Sequence, residues 1–384
     1  MNAAEIPVQF QTEALSKRID FLRGSFALWV LAAHTFGVAT QSVDPSWWDQ
    51  WPGLWLHTLF LTGRHAVTGF FFLSGFCIHW SISKSLDKKG AQSFSMASYL
   101  KARWLRIAPI FYIGLLFAVI AQAVRSYLAP VPFFEFEAGS TYSLIPSLGF
   151  LQGIFGLYRT YEPSWSITNE VIYYIAWPLL LALAGFRANR AIIFALLTAL
   201  IFTSFFYILE KKVGSRDWIS MTALWCIPLD AFMWIAGALC RQLYEPIIKS
   251  RAFIVMERWW VVLVIAWIAW ATTLLSLQLS LFLRTVLDPF VYVAIPLLVL
   301  AGWKAPASPK LLKWLADLSY PLYLLHAPIL NIVVALLYTY LTFLSQVPIA
   351  MIAGAVCLLV GGTVGVKLER YFLGLRKQKL VISS

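Results

Sequence analysis

Charge is scarce in this chain of 384 residues: Asp, Glu, Lys and Arg make up 12% of it and hydrophobic residues 60%. An ordinary soluble domain carries about 25% charged residues, so this balance excludes a soluble globular protein and a disordered one. Cysteine is rare too. Cys77, Cys226, Cys240 and Cys357 lie in apolar runs with no ligand spacing, so buried free thiols and no metal centre are expected. No low-complexity segment and no internal repeat is visible, which counts against the two related halves of many transporters. Nor is there room for a separate soluble domain. At about 20 apolar residues per span, the length holds about ten spans and little else.

Apolar runs punctuated by charge define the spans at 20–40, 62–82, 103–126, 166–186, 190–209, 221–241, 258–277, 284–302, 319–342 and 347–367. This predicts an all-α integral membrane protein of ten transmembrane helices. Residues 1–19 are then a short tail, 20–367 the membrane domain and 368–384 a basic tail. The stretch 143–157 is apolar but short and carries Pro146, Gly149, Gly153 and Gly156, which suits a re-entrant or interfacial element. With the N-terminus inside, 23 of the 30 Lys and Arg fall in cytoplasmic segments. Only Arg64, Arg125, Arg159, Lys211, Lys212, Arg216 and Arg284 are left outside. That asymmetry predicts N-in/C-in topology, and it accounts for the net charge of +12 without nucleic acid. The expected location is the cell inner membrane. Trp47, Trp48, Trp51 and Trp55 suit an interfacial aromatic belt.

Ionisable groups at membrane depth cost about 2.5–3.5 kcal/mol or more, so each is a functional candidate. The set is His34, Glu170, Asp230, Asp288 and His326. His34 follows Arg23 by 11 residues, which places both on one helical face about 16.5 Å apart. Asp20 shares that face, one turn earlier, in position for a local ion pair with Arg23. Glu170 enters from the opposite membrane surface and reaches a depth matching that of His34. The two form either a base with its orienting carboxylate or a packing hydrogen bond between helices. His326 is expected below His34, lining a path or bonding a carbonyl freed by Pro321. Asp230 and Asp288 adjoin Pro228 and Pro289, so capping of a helix break competes with catalysis. Arg103 and Arg106 project together at the mouth of the third span. They suit either a phosphate-bearing ligand or lipid headgroups.

Five local patterns resemble the acyltransferase-3 family of integral membrane O-acyltransferases. Arg18-Ile19-Asp20-Phe21-Leu22-Arg23-Gly24, with ten residues between Arg23 and His34, is similar to its opening motif and arginine–histidine signature. Phe70, Phe71, Phe72, Leu73, Ser74, Gly75 and Phe76 resemble its Phe-Phe-x-Leu-Ser-Gly-Phe. Arg103, Arg106, Ile107 and Pro109 resemble its Arg-x-x-Arg-Ile-x-Pro. Trp165, Ser166, Glu170 and Tyr174 resemble its Trp-Ser-x-x-x-Glu-x-x-x-Tyr. Ser319, Tyr320, Leu322, Tyr323, His326 and Pro328 resemble its late Ser-Tyr-x-Leu-Tyr-x-x-His-x-Pro. Phe21 stands where the family has glycine, and Thr68 where many members carry an acidic residue. Some members add a soluble hydrolase-like domain at the C-terminus, of which this sequence shows none.

The resemblance implies transfer of an acyl group, most often acetyl, from cytoplasmic acyl-CoA to a hydroxyl of a carbohydrate or lipid-linked sugar, with no bound cofactor. His34 and Glu170 are then the catalytic candidates and Arg23, Arg103 and Arg106 the donor-binding ones. Asp20, Ser74, Trp165, Ser166, Tyr323 and His326 line the path or support it. The alternatives are a proton-coupled transporter or flippase relaying protons through His34, Glu170 and Asp230, and a membrane assembly component with packing-only polar groups.

Overall fold

In a bilayer each backbone N–H and C=O must be satisfied within the protein, so long apolar runs become helices. The computed structural model describes residues 8–40, 63–90, 94–128, 144–213, 222–251 and 308–382, with scattered positions between 253 and 299. Among these, every regular element is helical. Helices α1 (Val8–Thr40), α2 (Gly63–Lys89) and α3 (Met96–Tyr127) precede two short ones, α4 (Leu144–Leu148) and α5 (Gln152–Phe155), and a 3-10 turn over Arg159–Ser164. Then come α6 (Trp165–Leu183), α7 (Ala188–Val213), α8 (Thr222–Gln242) and the short α9 (Tyr244–Ile248). The described chain closes with α10 (Pro309–Tyr340), α11 (Gln346–Val360), a π-helical turn at Gly361–Gly365 and α12 (Val366–Ile382).

Seven stretches among the described residues are long and apolar enough to cross a membrane, and they coincide with the first five and last two expected spans. The sixth expected span coincides with α8. The seventh and eighth, 258–277 and 284–302, fall largely outside the described residues. Trp47, Trp48, Trp51, Trp55 and Asp288 lie outside them as well. The polar segments expected as tails are helical where described: α1 already begins at Val8, and α12 carries residues 368–382. Neither segment contains a proline after Pro7, so nothing stops the flanking helix from propagating through them.

Local chemistry sets the helix ends. Ser95 caps α3 by accepting from the Ser98 amide at 3.2 Å, and Ser308 caps α10 by accepting from Leu311 at 3.3 Å with Pro309 in the first turn. Helix α6 ends where the Phe186 amide reaches back to the Leu181 carbonyl at 2.7 Å and Gly185 turns to φ +62°. The stretch 143–157 does not span. Its short helices are tied down by Gln152 Nε2 donating to the Ser164 carbonyl (2.7 Å) and the Gly153 amide donating to Thr168 Oγ1 (3.0 Å).

Helix α10 runs through the centre, packed by α1, α3, α11 and α12, and it is buried from Pro321 through Asn331. The closest helix pair is α2 with α8. A Cβ built on Gly75 would meet the Trp234 carbonyl oxygen, and one on Gly237 would meet the Phe72 carbonyl oxygen. Backbone therefore lies on backbone here, the small-residue packing that substitutes for a hydrophobic driving force inside lipid. Gly237→Ala is expected to destabilise the protein by about 1–3 kcal/mol, since rigid backbone must shift. Gly37→Ala, with nothing within 4 Å of the new methyl, is the control. Thermal unfolding in detergent should show a lower midpoint for the first variant and an unchanged one for the second.

Candidate active site

Five helices leave a chamber of about 300 Å³ between them. Helix α2 contributes Phe70, Ser74 and Cys77, which recur at helical spacing on one face. Opposite, α6 contributes Ser166, Glu170 and Tyr174, again four apart. Helix α3 supplies Arg103 and Arg106, α10 supplies Ser319, Tyr320 and Tyr323, and α1 supplies Arg23. Four of the five sequence motifs thus meet in one space through their polar positions, and the first joins them through Arg23.

The Glu170 carboxylate is held by its neighbours on two helices. Tyr174 Oη donates to Oε1, and Ser74 Oγ donates to the same oxygen at 3.3 Å. Trp234 Nε1 in turn donates to Ser74 Oγ at 3.3 Å. At the far wall Tyr323 Oη lies 2.7 Å from Ser166 Oγ and donates to the Pro163 carbonyl at 3.0 Å. Trp165 stands outside the chamber, its ring 6.1 Å from that of Phe71 and under the Arg64 guanidinium at 5.8 Å.

The three arginines differ in their partners. Arg103 lies over the rings of Tyr99 and Tyr174, at 5.5 and 6.0 Å, with its Nε buried and unpartnered. Arg106 pairs with Glu369 of α12 at 3.0 Å and covers Tyr320 at 5.9 Å. Arg23 has no ion pair among the described residues and lines both this chamber and a second cavity of about 330 Å³. The second cavity also holds Lys17, Asp20, Lys313, Asp317 and Glu369. The ion pair expected between Asp20 and Arg23 does not form within 4 Å. Both side chains are instead directed into the cavity.

Beyond the far wall lie the histidines. His34 Nδ1 is 2.9 Å from the Val30 carbonyl, which can only accept, so Nδ1 is the donor there, and in the neutral ring that leaves the lone pair on Nε2. The ring of His326 is 4.8 Å away, its Nδ1 likewise committed to the Leu322 and Tyr323 carbonyls at 3.1 and 2.7 Å and its Nε2 buried without a partner. Three expectations change here. His326 sits beside His34 rather than below it, because α10 begins at Pro309 and the residue is 17 positions into the helix. Nor does His326 bond the carbonyl that Pro321 frees, which is that of Asp317, four residues before. His34 and Glu170 share no hydrogen bond. The partners of Glu170 are Ser74 and Tyr174, and the ring neighbour of His34 is His326.

Asp230 accepts from Asn169 Nδ2 at 3.3 Å across α6 and α8. Of the expected thiols, Cys240 and Cys357 are buried, whereas Cys77 is half-buried and lines the chamber; the Cys226 side chain is outside those described. Among the described residues no cluster of three or more His, Cys, Asp or Glu is placed to hold a metal ion. Tyr174, Tyr320 and Cys77 join the candidate set. The four-residue step from Glu170 and the three-residue step from Ser74 were the available signals. Glu369 had no such signal, since its partner Arg106 lies on a distant helix.

A family model described as an acyltransferase domain, that of acyltransferase-3, matches residues 16–366. Among curated proteins, the chain is similar to nodulation protein 10 of Rhizobium leguminosarum bv. viciae, with 25% identity over 308 residues. The match covers 75% of this chain and 77% of that protein. No solved structure matches the chain.

The Asn169–Asp230 contact gives a stability test. Asn169 is wholly buried and Asp230 is 5% exposed, so removing the amide strips a buried carboxylate of a donor. Asn169→Ala should cost about 1–3 kcal/mol, read as a lowered unfolding midpoint in detergent. Asp230→Asn, which removes the charge but keeps hydrogen-bonding capacity, should stay near wild type. Equal loss in both variants would argue that the charge itself is needed.

Proposed function

The chain belongs to the acyltransferase-3 family, and on that premise we propose that it is a membrane O-acyltransferase acting on a carbohydrate or glycolipid hydroxyl. The acyl group is most simply acetyl, the donor acyl-CoA and the setting the bacterial inner membrane. Ten spans with both termini in the cytoplasm complete the proposal. The observation that carries it is the convergence of Arg23, Arg103 and Arg106 with Glu170 in one chamber whose far wall, Tyr323, lies 6.1 Å from the ring of His326. Guanidinium groups suit the phosphates of a CoA donor, and the chamber gives its narrow arm a way inward. The rhizobial relative is named for nodulation.

In the proposed step the acceptor oxygen attacks the thioester carbonyl while its proton passes to His34 Nε2. The C–S bond then breaks and the departing thiolate takes up that proton. Glu170 keeps its catalytic place in the proposal, acting through the hydroxyls it fixes on Ser74 and Tyr174. Phe70 and Tyr323, with ring centroids 5.7 Å apart, both line the chamber, and Tyr323 is also beside His326, so acyl end and acceptor would meet at Tyr323.

His34→Gln keeps size and polarity but takes no proton. It should reduce acyl transfer by roughly 10²–10⁴-fold, the usual range for a general base, at normal protein level in the membrane. A near wild-type rate would remove His34 from the chemistry. Arg103→Ala should raise the acyl-CoA requirement about tenfold, matching a lost charge-assisted contact. Mass spectrometry of surface glycans from wild-type and deletion strains should show an acyl mass difference that names donor group and acceptor together. Cysteines introduced at Ser85 and Ser215 should label oppositely with an impermeant thiol reagent; equal labelling would overturn the topology.

A further inference from the structure

The second cavity, about 330 Å³, adjoins the chamber at Arg23 and Arg106, which line both. Its lining includes Lys17 and the exposed Lys313, and among the described residues Lys17 is engaged by Glu13 in an exposed pair at 2.7 Å. Set into its wall is Glu369, 2% exposed, with Oε1 3.0 Å from Arg106 Nη1. The next residue, Arg370, reaches Asp317 at 2.7 Å on the same cavity wall. Both acidic partners and both arginines thus lie where α12 packs against the N-terminal parts of α3 and α10.

Two features make the Glu369 contact exchangeable. First, it is a single ion pair on a guanidinium that faces cavity on both sides, so another anion can reach Arg106 without unpacking a core. Second, α12 follows the π-helical turn Gly361–Gly365, where Gly361 packs on Leu322, Gly362 on Trp314 and Gly365 on Pro321. A π turn leaves its backbone bonds less regular than those of the flanking helices and often marks a functional site. Beyond the turn, α12 is held by the two ion pairs at its start.

We propose that this second cavity receives the nucleotide end of the acyl-CoA donor, and that Glu369 is the counter-ion which a donor phosphate displaces from Arg106. The proposal rests on acyl-CoA being the donor. A phosphate brings more charge and more acceptor oxygens to a guanidinium than a carboxylate does. Lys17 and Lys313 take the remaining phosphates, while the uncharged arm passes between Arg23 and Arg106 into the chamber. Without donor, Glu369 neutralises Arg106 and keeps the passage closed; with donor, α12 gives way at the glycine turn.

The test is CoA binding to the purified full-length protein in nanodiscs, by calorimetry. Glu369→Gln should bind CoA about tenfold tighter than wild type, since the competing carboxylate is gone. Combining it with Arg106→Ala should abolish that gain. Lys17→Ala with Lys313→Ala should weaken CoA about tenfold and flatten its salt dependence, while leaving affinity for pantetheine, which lacks the nucleotide, unchanged. Glu369→Asp, which keeps the charge on a shorter arm, should give an intermediate gain and serves if the glutamine variant folds poorly. Wild-type binding of CoA with no gain in either Glu369 variant overturns the displacement. Lysine variants that bind CoA normally overturn the cavity assignment. A wild-type protein that binds no CoA would overturn both and the donor assignment with them.

Discussion

Three guanidinium groups near one end of an apolar helix bundle are the constraint around which the rest of this structure is arranged. A bare cation is costly there, and each arginine is stabilised by a different device. Arg106 has a nearly buried carboxylate, Arg103 has two aromatic faces, and Arg23 borders two cavities. Elsewhere small residues and shape bring helices together in lipid, as at Gly75 and Gly237. Charge kept at such cost beside open space makes all three arginines functional candidates.

On the opposite side of Tyr323 the logic reverses. His34 and His326 lie side by side, each with its Nδ1 at hydrogen-bonding distance from a backbone carbonyl. A cation-rich chamber and, next to Tyr323, a pair of imidazoles are the two settings that the proposed reaction assigns to its reactants.

Much of this was legible beforehand, and for physical reasons. Apolar runs gave the helices because lipid permits little else, and the rarity of charge made Arg23, His34, Arg103, Arg106 and Glu170 conspicuous. What the residues could not convey was which conspicuous groups touch. The expected His34–Glu170 bond followed from depth alone, and depth leaves the rotation of each helix free. Helix rotation turns Glu170 and Tyr174 together toward Ser74, and the early start of α10 lifts His326 to His34. Asp20 and Arg23 illustrate the same point within one helix, since helical spacing permits a pair that cavity-facing rotamers do not make. Glu369 stayed invisible because an acidic residue in a basic, polar segment looks like any surface charge until its partner is seen.

The turn at Gly361–Gly365 has a consequence for how the C-terminal helix tolerates change. A π turn holds one more residue than the α turn it replaces, so it sets the angular phase of every residue after it. Winding the same residues as ordinary α-helix would rotate α12 by about 100°. Glu369 would then swing away from Arg106, and Arg370 from Asp317. A one-residue deletion that removed the wide turn would instead leave this phase nearly unchanged. The contacts of α12 thus depend on the winding of this glycine segment, and a length-preserving substitution that tightened it would act on them from a distance.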